Sequence, residues 1–420
     1  MKTETILLHY GYKPDTTSSQ AVPIYQTSSY RFDSIQDARD LFNLNKEGNI
    51  YTRIGNPTLS VLESRLAAMH NAKGALSVSS GQAAILYSIL NLASYGNNIV
   101  SSKYLYGGTY NLFKYTLKKF GIDVKFAQTN ESNDFEKLID KNTKAIYIES
   151  IGNPTNRIAE FEELSSIAHN FNIPLIVDNT VSPLIFNPFD FGADLIVYSL
   201  TKFISGNGTS IGGAIVEKGD FNWNNPKFKD EFDFDESYHG ISYIEKFITS
   251  GVFVTKTRLQ LLRDIGACIS PFNAFLILLG LETLPLRIEK HCKNASKVAK
   301  FLSVHPKVNW VNHLSLPDHP DYKLANKYFK KGFGSIIGFG SNGGFEKAKA
   351  FVENLKLIVH LANIGDARSL IIHPASTTHS QLTKEELDQA LISVDFLRLS
   401  VGIENIDDII EDLEQALGSI

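Results

Sequence analysis

The stretch Ala193-Asp194-Leu195-Ile196-Val197-Tyr198-Ser199-Leu200-Thr201-Lys202 passes from an apolar, β-branched run into a lysine flanked by hydroxyls. A short run of this kind reads as a buried strand of a parallel sheet. In open α/β sheets ligands bind beyond the C-terminal ends of the strands, where Lys202 falls. Ser199 and Thr201 offer hydroxyls to a phosphate. The run FISGNGTSIGG (203–213) that follows supplies Gly206, Gly208, Gly212 and Gly213, which let backbone turn tightly or approach a ligand closely. A lysine amine buried there loses its charge readily and becomes a nucleophile toward a carbonyl carbon. The combination describes a holder for an aldehyde phosphate. A lone lysine in a Gly/Ser loop is ordinarily a solvated surface residue, so the neighbouring segments must carry the reading further.

The preceding strand, Leu175-Ile176-Val177, ends on Asp178, followed by Asn179 and Thr180. A carboxylate at that edge reaches the same pocket and suits a protonated pyridine nitrogen, which makes a cofactor an electron sink. Earlier in the chain, Ser80-Gly81-Gln82 opens a helix with Ile85, Ile89 and Leu92 on one face. Free N–H groups at a helix start favour phosphate. Tyr51-Thr52-Arg53 adds a phenol and a guanidinium, the latter suited to bidentate phosphate contact.

The wider pattern is strand, helix, strand. Strands are expected at Ala75–Ser79, Ile99–Ser102, Ile122–Phe126, Ala145–Ile148, Leu175–Val177 and Leu195–Tyr198, with Phe161, Leu164, Ala168 and Phe171 at helical spacing between two of them. Such alternation predicts a mostly parallel sheet with helices on both faces. Residues 1–60 lack periodicity and read as an extended arm that needs another surface to be ordered. After Gly213 the pattern changes. Residues 219–242 mix aromatics, acids and asparagines and read as a loop or insertion over the sheet edge, and 243–302 as a helical segment. Short strands and helices in 330–420 predict a second, smaller α/β domain, closed by a helix that Asn405 caps and that presents Ile406, Ile409, Ile410, Leu413 and Leu417. The expected division is 1–60 arm, 61–260 cofactor domain and 261–420 C-terminal domain.

With 420 residues and a net charge of −4, acids and bases interspersed, the chain has room for two cores and no footprint for nucleic acid or an anionic membrane. No apolar stretch approaches the ~20 residues of a membrane span, and MKTETILLHYGYKP does not read as a leader. Cys268 and Cys292 are too few for a disulfide framework or a zinc site, so no metal is expected and a reducing cytoplasm is the expected compartment.

Eight segments in collinear order, YTRIGNPT (51–58), SSGQAA (79–84), YGGTY (106–110), ESIGNPT (149–155), VDNT (177–180), YSLTK (198–202), HPASTTHSQL (373–382) and LRLSVGIE (397–404), resemble the Cys/Met-metabolism family of pyridoxal-phosphate enzymes. The resemblance covers almost the whole chain. It implies the aspartate-aminotransferase-like fold, known as fold type I, and pyridoxal 5'-phosphate as cofactor. It further implies Lys202 as the lysine that carries the cofactor, Asp178 at its pyridine nitrogen, Tyr106 stacked on its ring and Asn153 near its ring hydroxyl. Gly81, Gln82, Ser199 and Thr201 match its phosphate positions, and Thr180 lies in the VDNT match. Tyr51 and Arg53 match residues lent to a neighbouring subunit, so a homodimer with shared sites is implied, and by extension a homotetramer. Arg398, helped by Asn363, matches the group that binds the substrate carboxylate.

Within the family, Tyr238-His239-Gly240 and the segments 270–292 and 362–382 are most similar to the branch that replaces the acetoxy group of O-acetyl-L-homoserine by a sulfur nucleophile, giving L-homocysteine and acetate in methionine biosynthesis. Cystathionine γ-synthases and the γ-lyases share the pattern, although methionine γ-lyases usually carry cysteine where Gly108 stands. A catalytically silent cofactor-binding protein is the alternative from another class. His373 and His379 read as structural, Cys268 as a small buried hydrophobe, and Tyr238-His239 either as a gate or as a surface turn.

Overall fold

The computed structural model describes every residue except Asn342, His379, Gln381, Leu382, Lys384, Glu386 and 388–390. Seven strands form the larger sheet: β1 (Gly74–Val78), β2 (Asn98–Ser102), β3 (Asp123–Ala127), β4 (Thr143–Glu149), β5 (Leu175–Asp178), β6 (Leu195–Ser199) and β7 (Gly213–Glu217). Their order is β1-β7-β6-β5-β4-β2-β3. From β3 to β6 every neighbouring pair is parallel, while β7 runs antiparallel to both β1 and β6.

The central strands are apolar on both faces because both are covered. Leu195 and Val197 point into one core with Ile85, Phe113 and Phe253, whereas Ile196 and Tyr198 point into the other with Leu66 and Phe161. Helices meet the sheet through ordinary start signals. Asn56 caps Pro57–Met69 by accepting from the Thr58 N–H, and Ser80 caps Gly81–Leu90 by accepting from the Ala83 N–H. Because Ser80 follows β1 directly, this second helix begins at the strand-end edge where β6 delivers Lys202.

A five-stranded sheet, β8 (Val308–Asn312), β9 (Ile336–Ser341), β10 (Val359–His360), β11 (Leu370–Ile372) and β12 (Phe396–Ser400), has the order β10-β11-β12-β9-β8. The helices Leu284–Val304 and Ile406–Gly418 bury Val298, Leu302, Ile409 and Leu413 against it. Asn405 accepts from the Asp407 N–H and so caps the final helix. The α/β architecture of a large, mostly parallel sheet with a smaller second sheet is as expected.

The structure sharpens three local expectations. The change of pattern expected after Gly213 comes one strand later: Gly213 itself starts β7, and Ala214, Ile215 and Val216 are fully buried. Of the loop or insertion expected at 219–242, the structure shows a packed insertion. Trp223, Phe228 and Phe232 are buried in it, with Trp223 stacked on Phe232 at 4.7 Å and on Phe253 at 5.3 Å. Residues 1–60 are partly anchored on their own chain, because the helix Thr3–His9 buries Leu7 and Arg65 donates to the carbonyls of Leu8 and Tyr10. Among the described residues no single helix is long and apolar enough to cross a membrane.

Candidate active site

A cavity of about 300 Å³ opens at the C-terminal ends of β4, β5 and β6. Strand register sets its floor: Glu149 pairs with Asp178, and Asp178 with Val197, so three strands end together and the chain leaves β6 toward Lys202. Lys202 sits in a tight turn, its N–H donating to the Ser199 carbonyl and its carbonyl accepting from the Gly206 N–H. Its Nζ donates to Asn363 Oδ1 at 2.5 Å. Burial, with the charge of Arg398 adding to it, brings the amine down to about 8. Roughly a tenth of the amine is then neutral at pH 7, far more than for an ordinary lysine.

One wall is built from backbone in close contact. A Cβ on Gly81 would lie 2.7 Å from Ser199 Cβ, and one on Gly213 would overlap the Ser80 carbonyl. Only glycine lets the helix start, the lysine strand and β7 meet here. Helix-start N–H groups lack partners within their own helix, and Gly81 and Gln82 line the cavity at that point, with Ser80, Ser199 and Thr201 beside them. Two hydroxyls hold this wall together. Thr180 Oγ1 accepts from the Ser199 N–H at 2.8 Å, and Thr201 Oγ1 both donates to the Gly212 carbonyl and accepts from the Gly212 N–H. The Thr201 proton is thus directed into the glycine loop.

The opposite side is acidic. Asp178 Oδ1 accepts from the Thr180 N–H at 2.9 Å, and Oδ2 accepts from the Tyr147 hydroxyl at 3.2 Å. Burial raises its pKa and these hydrogen bonds pull it back. Glu149 beside it is pushed well above the usual carboxylate range, first by burial and then by the charge of Asp178. Sequence reasoning passed over Glu149 and Tyr147, although the rule that singles out Asp178, an acid ending an apolar strand, applies equally to Glu149 at the end of Lys144-Ala145-Ile146-Tyr147-Ile148.

The mouth carries the substrate-sized features. Tyr106 is 42% exposed, and Gly108 makes its pose available: a Cβ there would lie 2.5 Å from the Tyr106 ring and 2.6 Å from Gln82 Nε2. Arg398 extends from β12, buried to 4% exposure. Its Nη1 donates to Asn153 Oδ1 and its Nη2 to the Asn363 carbonyl, whereas its Nε has no partner among the described residues. Burial draws this guanidinium down to about 10. A buried cation held only by neutral carbonyls is a socket for an anion.

Eleven of the expected residues therefore line one cavity: Lys202, Tyr106, Asp178, Gly81, Gln82, Asn153, Thr180, Ser199, Thr201, Asn363 and Arg398. Tyr51 and Arg53 do not. The Arg53 guanidinium lies over the Tyr51 ring and donates to the Arg263 carbonyl, outside the cavity. Tyr238 packs under Arg263 and His239 occupies an exposed turn at φ +55°, also outside the cavity. His373 caps a short turn through Ser376, and His379 lies outside the described residues. Cys292 is buried and Cys268 only partly so, packed against the core rather than fully within it.

Comparison with known proteins agrees with this geometry. Residues 4–418 match the family described as Cys/Met metabolism PLP-dependent enzyme. The chain is 51% identical to the O-acetyl-L-homoserine sulfhydrylase of Leptospira meyeri, across 100% of this chain and 97% of the relative. It is 48% identical to the homocysteine synthase of Schizosaccharomyces pombe, across 99% of this chain and 97% of the relative. A crystal structure from Campylobacter jejuni that holds N'-pyridoxyl-lysine-5'-monophosphate superposes with a TM-score of 0.95 at 44% identity, covering 100% of both chains. The chain belongs to the Cys/Met-metabolism family of PLP-dependent enzymes.

Proposed function

We propose that this member of the Cys/Met-metabolism family replaces the γ-acetoxy group of O-acetyl-L-homoserine with a sulfur nucleophile, giving L-homocysteine and acetate. One observation carries the reading: an amine drawn down to about 8, Lys202, and a buried guanidinium whose Nε has no partner among the described residues, Arg398, face the same cavity. Full-length identities of 51% and 48% to proteins named for this activity support it.

The residues fit pyridoxal phosphate. The glycine-packed helix start, a cradle that any Cβ would fill, suits the phosphate, Lys202 the aldehyde, and Asp178 the pyridine nitrogen. When bound, the cofactor supplies a sink for the electrons left by C–H cleavage next to the amine. The chain does the rest. Arg398 holds the substrate carboxylate, with Asn153 and Asn363 fixing its direction. Lys202, oriented by Asn363, takes and returns protons at the carbons beside the amine. Tyr106 covers the mouth and is the hydroxyl placed to assist departure of the acetoxy group.

Tyr51 and Arg53, which lie outside their own chain's cavity, reach the site of a second subunit, in a dimer of shared sites that pairs into a tetramer. The 1–60 segment is then the arm that delivers them, ahead of the 61–260 and 261–420 domains. The product carries a free thiol, so the donor delivers sulfur at the level of inorganic sulfide, and the free thiols of Cys268 and Cys292 suit a reducing cytoplasm.

The test is steady-state assay of the holoenzyme with O-acetyl-L-homoserine and sulfide, cysteine or neither. Homocysteine formed with sulfide as the fastest reaction supports the reading. Cystathionine as the main product, or a 2-oxo acid formed with no thiol added, sinks it.

A further inference from the structure

We infer that Glu149 is a positioning residue for this site. Its two carboxyl oxygens each take one backbone N–H, from two different loops. Oε1 accepts from Tyr106 at 2.6 Å and Oε2 from Asn153 at 3.1 Å. The first loop carries the aromatic ring at the cavity mouth. The second carries the side chain whose Oδ1 receives Arg398 Nη1 at 3.2 Å. One buried carboxyl, 6% exposed, therefore spans the gap between ring wall and carboxylate socket.

Its own place is fixed by the sheet. Glu149 closes β4 in register with Asp178 on β5, so the side chain that ties the two loops stands next to the acid at the floor. No surface lysine or arginine neutralises it: its hydrogen-bonding contacts among the described residues are the two N–H groups. A carboxyl kept buried beside a second acid is costly unless its oxygens are specifically used, and here both are used to hold walls of one cavity. Glutamate is the side chain with two acceptors at this reach. Its effect on turnover rests on the function proposed above, whereas its geometry does not.

The experiment compares wild-type, Glu149→Gln and Glu149→Asp holoenzymes by visible circular dichroism of the bound cofactor, by steady-state turnover and by thermal melting. Glutamine keeps the shape, but its amide nitrogen accepts no N–H, so one of the two loops is released. The glutamine variant is expected to keep its cofactor and to show a changed visible dichroism band. Its kcat/KM falls by roughly 10²-fold, the scale of a misplacement of about 1 Å. Aspartate retains both acceptors one methylene short and recovers part of both signals. A glutamine holoenzyme with wild-type dichroism and kcat/KM within about twofold of wild type overturns the inference. Where the glutamine variant does not fold, aspartate decides: altered dichroism at a wild-type melting temperature supports positioning, and unaltered dichroism overturns it. Loss of fold in both variants also overturns it, leaving a purely structural carboxyl. The dichroism is read without substrate, so a wild-type protein that makes no homocysteine sinks the proposed reaction and leaves this result standing.

Discussion

Asn363 touches both cations of the cavity: its Oδ1 lies 2.5 Å from Lys202 Nζ, and its carbonyl receives Arg398 Nη2 at 3.1 Å. Residues from the two sheets thus meet through one asparagine. Asn363→Ala removes the side-chain acceptor and leaves the carbonyl. Hydrogen bonds to charged groups are worth about 1.5–3 kcal/mol, so kcat/KM for the acyl-homoserine is expected to fall roughly 10- to 100-fold, measured at saturating sulfide.

Lys202→Ala removes the amine itself. General acid–base groups contribute about 10²–10⁴-fold, and turnover should fall by at least that much. Borohydride reduction followed by mass spectrometry should find cofactor bonded to the wild-type chain at Lys202 and none bonded to the variant. Turnover that survives in the variant would overturn the assignment.

The amine of Lys202 titrates near 8 rather than at its ordinary 10.5 because burial disfavours the charged form. Only the neutral amine attacks an aldehyde, so its reactive fraction rises with pH. Covalent capture of pyridoxal phosphate by the apoprotein should therefore quicken about tenfold per unit below pH 8 and level off above it. Stopped-flow absorbance measures this directly; a rise that continued to pH 10 would place the lysine in water.

Gly213→Ala inserts a methyl against the Ser80 carbonyl where backbone lies on both sides. Overpacking of this kind costs about 1–3 kcal/mol, and because the displaced group is the helix start, affinity for the cofactor should weaken as well. Gly418→Ala, with nothing within 4 Å of the added carbon, is the matched control. Melting temperature and cofactor titration distinguish the two.

Trp223→Ala tests whether 219–242 is part of the core. The indole is 4% exposed among Phe228, Phe232 and Phe253. Emptying such a site costs about 3–5 kcal/mol, which calorimetry should register as a lowered melting temperature. The folded fraction should keep its kcat, since the cavity lies elsewhere.

The strands that build the site were readable because their chemistry is one-sided. β4, β5 and β6 are buried on both faces, so their apolar runs stand out, and the residues just past them fall at the ligand edge by a general property of parallel sheets. β7 was hidden by its own start: Gly213 closes a glycine run that signals a loop, and the close approach to Ser80 that requires this glycine is a three-dimensional fact. Trp223, Phe228 and Phe232 have no period because they pack on Phe253 and on one another rather than along one element face. Glu149 carried the same signal as Asp178. What the sequence lacked was its use, two N–H groups that arrive from positions 43 residues before it and four after it.

β1 sits at the edge of its sheet and pairs with β7, Val78 opposite Gly213. Among the described residues its strand partner lies well over a hundred residues downstream. The wall where Gly81 meets Ser199 is completed by Gly213 of β7, which lies against the Ser80 carbonyl. Non-local pairings of this kind form late, so the nascent chain has a lysine before it has the finished wall beside it. The cradle is therefore a property of the β1-β7-β6 edge of the sheet as a whole and not of any one segment.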